Sequence, residues 1–249
     1  MPLVTIIIAT YNSSATLREA LSSVLNQSFQ GWECIIVDGA SKDNTIEIME
    51  EYCEKDARFR YVSEPDNGIY DAFNKGWRLA KGQWIQYLGS DDKLTKDGLK
   101  NMHLEKYLDY PIVTGDVYVM KLDGTNKLLR SVGYGGCHQG KFTRRNILKE
   151  MNGFDESFTI LADSDLMNRM KHHGYRIMNI PVPVAYFAMG GVSQNLSGEL
   201  LRARERYRLL CRYQAPSMAL GITLRIMVKH VASQFYRSMR KKVFSLFEK

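Results

Sequence analysis

The chain has 249 residues, 45% of them hydrophobic and 24% charged, which fits a large globular α/β domain and excludes a disordered or fibrous chain. Its formal charge of +7 is uneven: ten basic residues from Arg206 onward face the single acid Glu248, so the high isoelectric point belongs to that segment and no nucleic-acid partner is expected. The cysteines Cys34, Cys53, Cys137 and Cys211 lack disulfide or metal spacing and read as reduced thiols, and no apolar run is long enough to span a bilayer.

The N-terminal run VTIIIAT, Val4 to Thr10, is continuous and β-branched, the pattern of a strand covered on both faces of a parallel sheet. It lacks the basic flank and cleavage site of a signal peptide. A helix follows through Leu17, Leu21, Val24 and Leu25, capped by Ser13, Ser14 or Thr16. WECIIVD, Trp32 to Asp38, predicts a second buried strand, and Ser41 opens a helix through Ile46, Met49 and Tyr52. FRYVSE, GIYDAFNKGWRLA and QWIQYLG predict a third strand, a third helix and a fourth strand. This alternation implies right-handed βαβ units in a doubly wound, mostly parallel sheet with helices on both faces.

Beyond Asp92 the rhythm changes. A helix is expected from Lys96 to Leu108, then two strands around an Asp123-Gly124 turn. DSDLMNRMKHHG predicts a helix from Asp163 closed by Gly174, and YRIMNIP and PVAYFAM predict two short strands. Near the C-terminus Leu220, Leu224, Met227, Val228, Val231, Phe235 and Met239 fall on one helical face, with Arg225, Lys229, Arg237, Arg240 and Lys241 largely elsewhere. Such a basic amphipathic helix suits an anionic membrane surface or a packed helix with a solvated basic face.

Open parallel sheets bind ligands at the carboxyl ends of their strands. Asp38 ends the second strand, Glu64 and Asp66 follow the third, and Asp91 and Asp92 end the fourth. Acids gathered along one edge call for a ligand that brings positive charge, and a divalent cation bridging to substrate phosphates does so. ATYNSS after the first strand contains no glycine, which excludes a dinucleotide fingerprint there. GGCHQGK, Gly135 to Lys141, approaches a phosphate loop, but Phe142 stands where Ser or Thr would bind Mg²⁺.

The ordered segments TIIIATYN, IIVDGASKDNT, EPDNGIYDAFNKG, LGSDD, GFDESF and ADSDL resemble a family 2 glycosyltransferase with the GT-A fold, over roughly Val4 to Ser193. EPDNGIYDAFNKG and CHQGKF resemble bacterial members that build surface polysaccharides. The resemblance implies that Thr10, Tyr11 and Asn12 hold the donor's base and ribose and that Asp38 contacts the base. Ser41 and Asp43 share its loop. Asp66 and Gly68 match the loop over the nucleotide, and Asp71, Asn74 and Lys75 line the next helix. Asp92 matches the metal ligand, with Asp91 beside it on ribose or donor sugar and as a second metal acid. His138 and Gln139 match positions that reach the diphosphate or metal, Asp163 the general base, Asp165 an anchor for its helix, and Gly190 and Gly191 a lip over the site. Two positions depart: Gly89 replaces the first acid of the usual triplet, and Ala162 precedes the base.

The activity so implied is inverting transfer of a sugar from a nucleoside-diphosphate donor, UDP-sugar by analogy, to a saccharide or lipid-linked saccharide, with Mg²⁺ or Mn²⁺. The alternatives are a non-catalytic nucleotide-sugar or glycan-binding scaffold and a sugar nucleotidyltransferase. The expected organisation is a catalytic domain over 1–196, nucleotide-binding to about 95 and acceptor-binding from 96, then a helical segment over 197–249. The expected location is cytoplasmic, peripheral on the inner face of the plasma membrane through residues 217–249.

Overall fold

The computed structural model describes residues 1–121, 124–189 and 196–228. Asp123, Gly190, Gly191, Val231, Phe235 and Met239, with the basic residues from Lys229 onward, lie outside the described residues, so the expectations placed on them stay as stated. The chain divides into two units, Met1–Gly191 and Val192–Lys249.

The first unit is built on a nine-stranded sheet in the order β3-β2-β1-β4-β8-β6-β9-β5, with β7 pairing β6. Strands β1 (Val4–Thr10), β2 (Trp32–Asp38), β3 (Phe59–Ser63) and β4 (Trp84–Gly89) form its parallel half, where the β-branched runs predicted it. Successive side chains point to opposite faces. Ile6 and Ile8 therefore meet Leu21 and Met49 of helices α1 (Leu17–Leu25) and α2 (Thr45–Lys55) in one core layer. Ile7 faces the other way, under helix α3 (Ile69–Leu79). A Cβ on Gly76 of α3 would come within 2.5 Å of Ile7 Cγ2, so only glycine lets this helix lie so close to the strand.

The second half of the sheet is mixed. Strand β8 (Lys141–Arg144) runs antiparallel to both β4 and β6 (Ile112–Met120), while β9 (Ile177–Ala188) runs parallel to β6 and antiparallel to the short β5 (Lys93–Leu94). Strand β7 (Asn126–Leu129) closes the hairpin expected after β6. Sheet pairing is thus continuous across residue 95.

Two expectations are corrected here. The helix expected over 96–108 is a short α4 (Gly98–Asn101) and a 3₁₀ turn (Leu104–Tyr107), broken at His103, whose φ of 46° is left-handed. The break lets Leu99, Met102 and Leu104 all reach the core. The two strands expected around Pro181 and Pro183 are one strand, because Pro183 falls opposite Asp116 where the β6–β9 register shifts and the ladder does not require its amide.

Helices α5 (Arg145–Glu150) and α6 (Ala162–His172) complete the unit, and Gly174, with φ 74°, closes α6 as expected. Two buried polar groups fasten them. Asp165 accepts from Arg169 Nε at 2.8 Å, and the same guanidinium donates to the carbonyls of Met151 and Gly153. Asn74 of α3 donates to the Phe154 carbonyl and Glu156 Oε1, and its Oδ1 accepts from Phe154 N and Trp77 Nε1. That uses its full bonding capacity. Gly153, with φ 64°, has no room for a side chain: a Cβ would lie 2.3 Å from Asn74 Oδ1.

In the second unit α7 covers Leu196–Cys211 and α8 covers 216–228, with Pro216 at its first position. Helix α8 buries the small Ala219 and Thr223 and leaves Leu220, Leu224 and Val228 exposed.

Replacing Asn74 by alanine orphans a buried amide, a buried carbonyl and an indole N–H. The expected cost is about 2–3 kcal/mol, read as a lower urea midpoint at an unchanged slope.

Candidate active site

The loops leaving β1 and β2 are stitched together by side chains that accept from backbone amides. Asn12 N donates to Ser41 Oγ at 2.8 Å, Lys42 N to Asn12 Oδ1 at 2.8 Å, Ser13 N to Thr45 Oγ1 at 2.9 Å and Ser14 N to Asp43 Oδ2 at 3.1 Å. Hydrogen bonds from Thr45 and Ser14 hold the Asp43 carboxyl well below its usual range. Asn12 needs a left-handed φ of 48° to enter this lattice, which asparagine tolerates. The result projects Tyr11 into solvent, 62% exposed, at the end of a strand buried at all but one position.

Asp38 is turned inward. It is completely buried, and its carboxylate accepts from Ser41 N, Ser41 Oγ and Ser63 Oγ, so it braces the loop. The carboxylate open on this side is Asp66. A Cβ on Gly39 would lie 2.8 Å from Asp66 Oδ2, so the acid after β3 leans over the glycine after β2. Asp66 Oδ1 accepts from Gly68 N, Asp71 accepts from Asn67 N, and Lys75 reaches Glu64, Asp71 and the Pro65 carbonyl. Asp66, Gly68, Asp71 and Lys75 thus form one self-braced loop, and Gly68, at φ 113°, adopts a conformation that excludes ordinary side chains.

At the end of β4 the two adjacent acids have opposite surroundings. Asp91 is exposed and, among the described residues, has no hydrogen bond or ion pair. Asp92 is 1% exposed, and its carboxylate accepts from Gly89 N at 3.0 Å, Gln139 Nε2 at 2.7 Å and Ala188 N at 2.8 Å. Burial pushes its pKa up to about 6, with those three donors pulling against it and Asp91 adding to it. A Cβ on Gly89 would fall 2.6 Å from Asp92 Oδ2 and 2.8 Å from Asp91 Oδ1. The space where the resemblance expects a first acid is therefore filled by the other two.

The segment Cys137–Lys141 joins this edge to helix α6. Gln139 holds Asp92 and accepts on its carbonyl from Gln86 Nε2 of β4. His138 packs edge-on against Phe73, and burial holds its imidazole below the usual value, with Asp163 opposing. Burial raises the Cys137 thiol, which also feels the charges of Lys141, Asp92 and Asp163. Asp163, second residue of α6, is half-buried. Its Oδ1 accepts from Ser164 N at 2.6 Å and its Oδ2 has no donor among the described residues.

Of the residues expected at the site, Tyr11, Asn12, Asp66, Gly68, Asp71, Lys75, Asp91, His138 and Asp163 gather along the strand ends or on the segment that closes on them. Thr10, Asp38, Asn74 and Asp92 lie beneath that surface, and all but Thr10 are hydrogen-bonded by protein donors or acceptors. Gln139, expected to reach the diphosphate or metal, instead donates to Asp92, and Lys141, given no role in the expectation, is buried on β8. The only sequence sign of either was the CHQGK segment. Among the described residues no group of three or more His, Cys, Asp or Glu side chains is poised to hold a metal ion. Asp91 with two phosphate oxygens of a ligand fits Mg²⁺ or Mn²⁺, which commonly keep one or two carboxylates beside substrate phosphates.

The model of the family described as glycosyl transferase family 2 matches residues 5–171. A PGL/p-HBAD biosynthesis glycosyltransferase of Mycobacterium tuberculosis is 30% identical over 211 residues, 78% of this chain and 80% of that protein. A putative teichuronic acid biosynthesis glycosyltransferase, TuaG, of Bacillus subtilis is 39% identical over 110 residues, 44% of this chain and 42% of that protein. Among solved structures, S. aureus TarS 1–349 in complex with UDP-GlcNAc superposes with a TM-score of 0.68 at 20% identity, covering 90% of this chain and 72% of that one. Mannosyltransferase PcManGT from Pyrobaculum calidifontis, in complex with GDP-Man and Mn²⁺, gives 0.67 at 18% identity, covering 93% and 75%. These likenesses show the GT-A fold.

The raised pKa of Asp92 carries a pH signature. Its folded value of about 6 exceeds the unfolded 3.8, so its contribution is most favourable below pH 3.8 and is lost as pH rises through 6. Asp92→Asn removes that charge. Its stability relative to wild type, measured by urea unfolding without divalent ions, is expected to rise by about 2 kcal/mol between pH 4 and pH 7; a flat difference contradicts the burial of a charged Asp92.

Proposed function

The chain belongs to glycosyl transferase family 2, and we propose that it is an inverting enzyme moving a sugar from a nucleoside-diphosphate donor, UDP-sugar by preference, to a saccharide or lipid-linked saccharide during assembly of a cell-surface polysaccharide. The observation that carries this reading is the convergence of two groups from distant parts of the chain. The acidic end of β4 and the acid that opens α6 are both within electrostatic reach of Cys137. One holds a donor and the other deprotonates an acceptor.

Each residue's part follows from its surroundings. Tyr11 offers an exposed ring for a base, and the braced Asp66–Lys75 loop covers the nucleotide. Asp91, expected as the second metal acid, takes the metal in this reading and Asp92, expected as the first, positions it, because the Asp92 carboxylate already accepts three protein hydrogen bonds. A divalent ion, when bound with Asp91 and the donor's phosphates, offsets charge on the departing nucleoside diphosphate. Asp163 Oδ2 accepts the proton of the acceptor hydroxyl as its oxygen attacks the anomeric carbon. The Ser164 amide and hydroxyl hold the other oxygen. A single displacement from one base inverts the anomeric centre. Retention of both Asp91 and Asp163 speaks against a non-catalytic scaffold, and the glycine-free loop after β1 against a nucleotidyltransferase.

The reading extends to a membrane surface. No described helix is long and apolar enough to cross a bilayer. Leu220, Leu224 and Val228 nevertheless stand exposed on α8, in the segment that carries the excess basic charge. Apolar side chains beside basic ones suit the face of an anionic bilayer.

Two experiments test these claims. A panel of nucleotide sugars should yield one donor that is turned over with Mg²⁺ or Mn²⁺ and not in EDTA. Asp163→Asn should then lose about a hundredfold to ten-thousandfold in kcat with donor affinity unchanged, whereas Asp91→Ala should lose metal-dependent donor binding at an unaltered Tm. Wild-type turnover by Asp163→Asn removes it as the base. In flotation with vesicles containing anionic lipid, Leu220→Ser/Leu224→Ser should bind less than wild type at equal salt; equal binding removes the membrane-facing role.

A further inference from the structure

Lys141 is the strongest unassigned feature of the fold. It opens β8 and is only 7% exposed, yet among the described residues its ammonium makes no hydrogen bond or ion pair. Lysine is almost never buried without a partner, because desolvating an ammonium is costly. Its backbone is held in place on both sides. The backbone is laddered on one side to β6, where Lys141 is paired with Thr114, and on the other to β4, where Phe142 is paired with Gln86. On the neighbouring β4, the Tyr87 hydroxyl is also buried without a partner among the described residues. Gly140 lets β8 come this close: a Cβ there would lie 2.5 Å from the Gly115 carbonyl.

The surroundings say which charge is missing. Asp163 is the acid that Lys141 feels, and no ion pair forms between them. Two residues upstream, Gln139 is bonded to Asp92 at the end of β4. The Lys141 backbone is therefore tied to the β4 edge by a strand ladder and by a turn, and its ammonium lies within electrostatic reach of the acid assigned as base.

We propose that Lys141 is a donor-binding residue whose ammonium pairs with an oxyanion of the nucleotide sugar, either on its diphosphate or on the carboxylate of an acidic sugar. The inference rests on the donor site proposed above and adds to it a fixed positive charge contributed by β8. That charge suits this chain, which presents one open carboxylate where a triplet was expected and so has less acid to hold a cation.

The test is calorimetric titration of wild type, Lys141→Met and Lys141→Arg with UDP, GDP and dTDP in Mg²⁺, then with the UDP conjugates of glucose and glucuronate. Tm confirms that each variant is folded. If the partner is the diphosphate, Lys141→Met binds the preferred nucleotide at least about tenfold more weakly and Lys141→Arg recovers most of the loss. If it is the sugar's carboxylate, the bare nucleotide binds equally to all three, and only the glucuronate conjugate loses at least about tenfold in Lys141→Met. Wild-type affinity of Lys141→Met for every probe overturns the assignment of Lys141 alone. A wild-type protein that binds none of the probes overturns the donor site itself, and this inference with it.

Discussion

A buried carboxylate with three donors is the interaction on which the rest of the site depends. Asp92 ends β4, yet its partners come from β4 itself, from the turn before β8 and from the last residue of β9. Charge in a dry interior is costly unless it is paired or hydrogen-bonded. The protein thus has a strong reason to keep these three chain segments together, and the exposed Asp91 beside them inherits a fixed position. Two adjacent acids at a strand end, which look like a repulsive pair in the sequence, turn out to divide between interior and surface.

The same division recurs along the rim. Asp38 is spent on bracing and Asp66 is left open. Asn74 faces the interior and Lys75 the loop. In each case the inner residue fixes backbone and the outer one is available to a ligand. Glycine makes the arrangement possible at two places, since Gly39 and Gly89 leave room for acids from elsewhere in the rim to lean across them.

The parallel half of the fold was legible because β1 and β2 carry apolar runs whose burial on both faces needs no knowledge of partners, and because helical patterns alternate with the strands. The α6 helix was legible too, from its acidic start and Gly174. The mixed half was not. Strand β8 is only four residues long and owes its existence to β4 and β6 on either side. Pro181 and Pro183 looked like a strand break because a register shift in a neighbouring strand cannot be read from a local window. At the site, Asp163 could be placed by motif and helix position alone. Asp38, Asn74 and Asp92 carry the same motif signal as surface ligands, and what turns them inward lies 25, 80 and 96 residues away, at Ser63, Phe154 and Ala188. Lys141 ended a segment that only approached a phosphate loop, and nothing local announces that its side chain will be buried without an anion.

The hydrogen bond from the Ala188 amide to Asp92 also has a bearing on biosynthesis. The acidic rim is encoded almost wholly before residue 93, but its innermost acid acquires its last amide from a strand that leaves the ribosome about a hundred residues later. Until then the nascent parallel layer carries an incompletely satisfied carboxylate at its heart. Completion of the rim is thereby deferred until nearly the whole sheet has been synthesised, so a prematurely terminated polypeptide would hold it unfinished.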